Sequence, residues 1–167
     1  GEPVRTSHYP KVRVIKKAAT ESLAASTTLQ DDDDFSVDLD AGKTYQVELH
    51  VIATGAASPG DIKIAWAVTG GVAALTNRHS DGPAVGSTDA TSSALMRASG
   101  AHGITTAVGY GTDGTNGSKI VEDFLVETTT AGTSGTLTMQ WAQNSSSATA
   151  TTVNGSSFLV ITEVDLI

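Results

Sequence analysis

The chain has no cysteine among its 167 residues, so disulfide staples, zinc–thiolate centres and cysteine nucleophiles are all excluded. Aromatic residues make up only 5% and prolines number four, while Gly, Ala, Ser and Thr are plentiful. A core must therefore come from Val, Ile and Leu, in short strands joined by tight turns. No run approaches the roughly 18 apolar residues of a membrane span, and no secretory leader is expected. A chain of 17.0 kDa fits one domain, long enough to bury a core without staples.

Basic residues are few and unevenly placed. Residues 1–17 hold Arg5, Lys11, Arg13, Lys16 and Lys17 against Glu2, a local charge of +4; the remainder holds five basic and 17 acidic residues, a charge of −12. Phosphates would meet the wrong sign on that body, so neither nucleic acid nor a membrane is expected as a partner. Gly1 to Pro10 has no period and reads as an extended arm, and Lys11–Lys17 begins as a strand-like alternation that docks on something. The expected organisation is a basic arm over 1–20 and one domain over 21–167.

Within that domain the pattern is strand, turn, strand. Tyr45, Val47, Leu49 and Val51 share one face of Thr44–Ile52, opposite Thr44, Gln46, Glu48 and His50; Ile62, Ile64, Trp66 and Val68, then Leu137, Met139 and Trp141, repeat the alternation. Further strands are expected near 35–39, 95–99, 104–108, 120–128 and 157–164. Ala41-Gly42, Asp113-Gly114, Asn116-Gly117 and Asn154-Gly155 supply turns. Roughly eight to ten strands at this spacing predict an all-β antiparallel sandwich or barrel. Helix signals over 21–29 and 92–98 are weak, and 70–91 reads as a surface loop with one short strand.

The last strand stands apart. Phe158, Val160 and Val164 fall on one face and Leu159 and Ile161 on the other, so both faces need cover. The domain core covers one. An internal element or a neighbouring subunit covers the second, and without a convincing helix a subunit interface through Phe158, Leu159, Ile161 and Val164 is the expectation.

Residues with reactive chemistry form no site. Asp31–Asp34 has the oxygen ligands for calcium, but consecutive residues cannot all point inward on an extended chain, and the run lacks a calcium loop's spacing and glycine. It reads instead as a solvated connection before Phe35. His8, His50, His79 and His102 are dispersed, no serine sits in GxSxG, and Asp61, Asp81, Glu122 and Asp123 show no pairing above chance. The glycines of 109–117 follow no phosphate-loop pattern. Trp66 and Trp141 lie in phase with apolar faces and read as core; Tyr9 and Tyr110 are the candidates for exposed aromatics. No catalytic residue, metal or cofactor is expected, and the chain is not read as an enzyme.

One stretch carries a family likeness. Val14-Ile15-Lys16-Lys17-Ala18, Glu21-Ser22, Ser26-Thr27-Thr28-Leu29-Gln30, Asp31–Asp34, Phe35-Ser36-Val37, Ala41-Gly42-Lys43-Thr44-Tyr45 and Gly60-Asp61-Ile62-Lys63 resemble a domain of virion proteins from phages of actinobacteria. Gly155-Ser156 opening a final apolar strand is similar too, and the likeness covers about residues 12–69 and 134–164. It implies a jelly roll similar to trimeric tumour-necrosis-factor-like domains, in a minor tail protein or a capsid decoration protein, and carries no catalytic residues.

The expected function is therefore a homotrimeric decoration (cement) protein on the exterior of a phage head. Its partner is the major capsid protein, engaged by the arm through Arg5, Tyr9, Lys11, Val12, Arg13, Val14, Lys16 and Lys17. The alternative is a minor tail protein whose jelly roll binds host-surface carbohydrate, with Tyr110 as an exposed aromatic. An enzyme acting on such glycans is favoured only by the scattered carboxylates.

Overall fold

The structure is a computed structural model and describes residues 10–56, 59–73, 77–87, 96–97 (backbone only), 102–114, 116–129 and 133–164. In chain order the strands are β1 (Val12–Lys16), β2 (Glu21–Leu23), β3 (Gln30–Leu39), β4 (Thr44–Thr54), β5 (Ile62–Gly70), β6 (Val72–Ala73) and β7 (His79–Pro83). There follow β8 (Met96–Arg97), β9 (Val108–Tyr110), β10 (Ser118–Thr128), β11 (Gly135–Gln143), β12 (Thr151–Val153) and β13 (Phe158–Val164). Among the described residues there is no helix.

Two antiparallel layers face each other. The first runs β1-β13-β4-β10-β7-β8, with β2 and β12 beside β4 and β6 against the end of β10; the second runs β3-β11-β5-β9. Each of β3, β5, β9 and β11 is preceded and followed in the chain by a strand of the first layer, so the chain changes layer on entering and on leaving every strand of the second. Few sequence neighbours therefore pair, and the order 1-13-4-10 over 3-11-5-9 is that of a jelly roll.

Alternation along each strand explains why these residues take these places. In β4, Tyr45, Val47, Leu49, Val51 and Ala53 are buried and the residues between them are not. Trp66, Met139 and Trp141 of the second layer meet them from the other side, and both tryptophans are core residues. Two tight turns need positive φ, and glycine supplies it: Gly42 at +68° between β3 and β4, and Gly117 at +75° before β10.

Several expectations are corrected. Asp31–Asp34 is not a solvated connection but the first half of β3. The β3–β11 ladder breaks its register between Thr138 and Gln140, where β3 carries extra residues as a bulge. Asp32 turns inward there, and its Oδ1 accepts the N–H groups of Asp34 and Phe35, each at 3.0 Å, amides that the broken ladder leaves without strand partners. Residues 21–23 form a strand, not a helical turn, because β12 offers them a ladder. The span 70–91, read as a loop with one short strand, contains two, β6 and β7. Ile104 lies outside any strand, whereas Val108–Tyr110 pairs with β5.

Tyr110 is also not an exposed aromatic: it is fully buried. Its hydroxyl donates to Glu122 Oε1 at 2.6 Å, Trp66 Nε1 donates to Oε2 at 2.7 Å, and Arg78 Nη2 donates to Oε1 at 2.9 Å. The Arg78 guanidinium also donates to the carbonyls of Ile64, Ile104 and Thr106. Arg78 and Glu122 are both 0% exposed. This ion pair survives burial because hydrogen bonds surround it on both sides.

Two outcomes follow for stability. Arg78→Met leaves the Glu122 carboxylate buried without its counter-charge, and urea unfolding should show a loss of about 3–5 kcal/mol. Burial first, then the Glu122 charge, raises the Tyr110 phenol well above its ordinary range. Folding therefore holds the phenol proton, a contribution complete below the unfolded value of about 10 and lost as pH rises beyond it. Urea midpoints measured from pH 8 to about 11 should fall more steeply for the wild type than for Tyr110→Phe.

Candidate assembly face

The outer surfaces of the two layers differ in kind. That of the second layer is polar and internally satisfied. Ser36 Oγ and Thr138 Oγ1 lie 2.8 Å apart, Thr136 Oγ1 donates to Asp38 at 2.9 Å, and Gln140 Nε2 donates to Asp31 at 2.8 Å. Such cross-strand pairs finish a surface that faces water.

The first layer turns apolar side chains outward. Val12 and Val14 of β1 are 56% and 66% exposed, and Val121 and Leu125 of β10 are 37% and 39% exposed. Among the described residues these are four of the five large hydrophobics left exposed, and all four lie on this one face. Between them Phe158, Val160 and Val164 of β13 and Ile52 of β4 are half-buried on the same side. The registers align them in rows: Val14, Val160, Glu48, Asp123 and His79 in one, and Lys16, Phe158, His50, Val121 and Asp81 in the next.

The second row has a built floor. His50 and Phe158 stack with ring centroids 4.4 Å apart at 14°. With Ile52, Lys119, Val121 and Ser156 they line a hollow of about 240 Å³. In the first row Glu48 and Asp123 stand directly opposite one another, and Gln46 Nε2 bridges them at 3.2 and 3.5 Å. Two like charges side by side are unfavourable unless something positive approaches.

The residues expected to form an interface divide accordingly. Leu159 and Ile161 are sealed in the chain's own core, 0% exposed, because they share the inward phase of β13. They are not surface residues. Phe158 and Val164 do lie on the outer face. Val160, placed on their face by the sequence pattern, lies there too, and Val121, Leu125, Ile52 and His50 join them without having been expected at an interface. For β10 the signal was present in the sequence, since Val121 and Leu125 are apolar in a phase that also carries Asp123 and Glu127.

The basic arm divides too. Arg5 and Tyr9 lie outside the described residues. Val12–Lys16 is not a free arm but the edge strand of the first layer, paired along its length with β13, so the fold begins well before residue 20. Arg13 reaches across the open edge to donate to the Asp38 carbonyl at 3.0 Å. Lys17 is buried and held by Asp32, Glu21 and Asp34, so it is no arm cation either. Lys11, near Glu163 at 3.9 Å, and Lys16 stay exposed with Val12 and Val14. Among the described residues no group of three or more His, Asp and Glu side chains is placed to hold a metal ion.

No family model matches the chain, and no curated protein matches it. Solved structures with a likeness include the tripod from the baseplate of bacteriophage Tuc2009, at 12% identity and a TM-score of 0.36, over 88% of this chain and 64% of that one. They also include the VP2 subviral particle of infectious bursal disease virus, at 10% identity and a TM-score of 0.25, over 93% of this chain and 41% of that one. The chain thus spans well short of the full length of either, and likenesses this distant carry no argument about what it does.

The two phases of the outer strands predict opposite mutational outcomes. Leu159→Ala should lower stability by about 2–5 kcal/mol in urea unfolding. Val14→Ala should change the same midpoint by no more than about 0.5 kcal/mol.

Proposed function

We propose that the chain is a structural, non-catalytic virion protein that assembles with copies of itself through the outer face of its first layer and decorates the exterior of a phage head. The observation that carries self-assembly is the contrast between the two outer faces. One is finished with hydrogen bonds, and the other gathers Val12, Val14, Phe158, Val160, Val121 and Leu125 on one side of one sheet. Clustered exposed apolar groups rimmed by charge mark a contact surface.

Charge along that face favours a head-to-tail contact. The β1 end carries Lys16 beside Val12 and Val14; the β10 and β7 end carries Asp81, Asp123 and Glu127, with Lys119, beside Val121 and Leu125. Setting the β1 edge of one copy on the β10 side of the next brings opposite signs together and gives Glu48 and Asp123 a positive neighbour. A heterologous contact of this kind closes into a ring where its rotation divides the full circle, and three copies require a turn of about 120°. The resemblance of residues 12–69 and 134–164 to phage virion proteins supports three copies and a place in the virion.

In this assembly the residues before β1 remain as the tether to the major capsid protein, through Arg5, Tyr9 and Lys11. Many copies on a shell offset the cost of ordering each tether by avidity. Burial of Tyr110 removes the aromatic that favoured carbohydrate binding in a tail protein.

Val121→Asp puts a charge in the contact without touching the core. Sedimentation should show it shift from trimer to monomer, while its urea midpoint at low concentration stays within about 0.5 kcal/mol of wild-type monomer. A wild-type chain that sediments as a monomer at high concentration would remove the assembly reading. Deleting residues 1–9 should leave the oligomer intact and abolish binding to undecorated heads; retained binding would remove the tether.

A further inference from the structure

Lys17, Glu21 and Asp32 meet where β1, β2 and β3 converge. Lys17 Nζ lies 2.8 Å from Asp32 Oδ2 and 2.8 Å from Glu21 Oε2. The Lys17 and Asp32 side chains are 1% and 0% exposed, so bulk water is kept from the contact. The second Asp32 oxygen, Oδ1, accepts two backbone N–H groups, and Gln30 Nε2 fixes the second Glu21 oxygen at 2.8 Å. Asp34 Oδ2 stands farther off, at 3.4 Å, and the Phe35 ring lies 5.5 Å from the nitrogen.

A buried ion pair needs only opposite charges and filled hydrogen bonds. This arrangement has more. An amine nitrogen is pressed against one oxygen of a carboxyl group, two fixed N–H donors point at the other oxygen, and a second carboxylate touches the same nitrogen. Those are the parts of an acyl condensation: a positioned nucleophile, donors where negative charge develops, and a proton carrier.

We propose that Lys17 and Asp32 become joined by an intramolecular isopeptide bond, with Glu21 carrying the second proton. Asp32 Oδ2 takes one proton from the Lys17 ammonium across their 2.8 Å contact, which leaves a neutral carboxyl group facing a free amine, and the lone pair on Nζ attacks Asp32 Cγ. Negative charge gathers on Oδ1, where the Asp34 and Phe35 N–H groups meet it. Glu21 Oε2 takes the second proton from the nitrogen and passes it to Oδ2, which departs as water. One C–N bond forms, one C–O bond breaks, the nitrogen keeps one hydrogen, and Glu21 returns to its starting state. No oxidant, metal or activated co-substrate takes part.

The starting state is the ion pair. Burial by itself lowers Lys17, but the hydrogen bonds from Asp32 and Glu21 outweigh it and hold the ammonium above the ordinary lysine range. The first proton transfer is therefore uphill and the bond forms slowly, once in the life of each chain. The product is favoured because two buried charges become one neutral amide in a site closed to water. It closes a covalent loop from residue 17 to residue 32 and ties the first layer to the second beside the free edge.

Intact mass spectrometry of the denatured full-length wild-type chain tests this directly. The expected mass is one water below that of the sequence, and proteolysis should yield one branched fragment joining the Lys17 and Asp32 segments. Lys17→Met and Glu21→Gln should each return the full sequence mass. A wild-type chain at full mass with separate Lys17 and Asp32 peptides overturns the proposal. So does a water loss located elsewhere, such as a cyclised Asp113-Gly114. Water loss undiminished in Glu21→Gln overturns the part given to Glu21. The wild-type measurement decides the bond even where a variant folds poorly, and it does not depend on the oligomer or the virion.

Discussion

The Glu122 carboxylate fixes the phase of β10, and the character of the whole outer face follows from that phase. Glu122 faces inward between Ile120 and Phe124, in a layer interior that would otherwise reject a charge. It is tolerated because Trp66 and Tyr110 of the opposite layer and Arg78 beside β7 all donate to it. A slip of β10 by one residue would carry Glu122 to solvent, strand the Arg78 guanidinium in the core and turn Val121 and Leu125 inward. Together with Ile120, Phe124 and Val126, buried in the same phase, the cluster thus penalises the register in which Val121 and Leu125 would be hidden. What a buried charge network costs in desolvation it returns as specificity of strand pairing.

The other end of the face depends on a second buried cation. β1 is a short edge strand with two exposed valines, and pairing with β13 alone is a weak hold on such a strand. Lys17 anchors its end to Asp32 in the second layer, and Arg13 clips its middle to the Asp38 carbonyl. Both basic side chains are directed into the protein and Lys11 turns toward Glu163, which leaves Val12, Val14 and Lys16 on the outer side of the strand. The run of positive charge that looks uniform in the sequence is therefore split by the fold into anchors and a contact surface.

Much of the architecture was legible, for a definite reason. A β-sandwich writes itself as period-two alternation, and β4, β5 and β11 carry that pattern, with Gly42 and Gly117 marking the turns. Polar residues placed inward broke the reading. Asp32, Lys17, Arg78 and Glu122 each look like surface residues by type, and only their partners, 15 residues apart for Lys17–Asp32 and 44 apart for Arg78–Glu122, explain their burial. Long-range pairing of this kind has no local signature. The bulge in β3 hid a strand for the same reason, since four consecutive aspartates read as loop until one of them is seen to cap the amides beside it. The outer face was half visible: apolar residues in both phases of β13 signalled a second covered side, but not which phase belonged to the core.

That face is apolar without being uniformly greasy, and the mixture bears on what a single copy presents to water. Glu48 and Asp123 sit in the middle of it, with only Gln46 bridging them. Two adjacent carboxylates keep water on the surface of a lone copy and repel the same region of another, which disfavours a symmetric face-to-face dimer. In the proposed assembly a neighbour arriving with Lys16 would convert the same pair from a repulsive element to an attractive one. The carboxylates would then favour the head-to-tail arrangement over the self-complementary one, with the apolar rows on either side supplying its area. Removing them would make the face more hydrophobic and less selective, the usual relation between affinity and specificity at a contact surface.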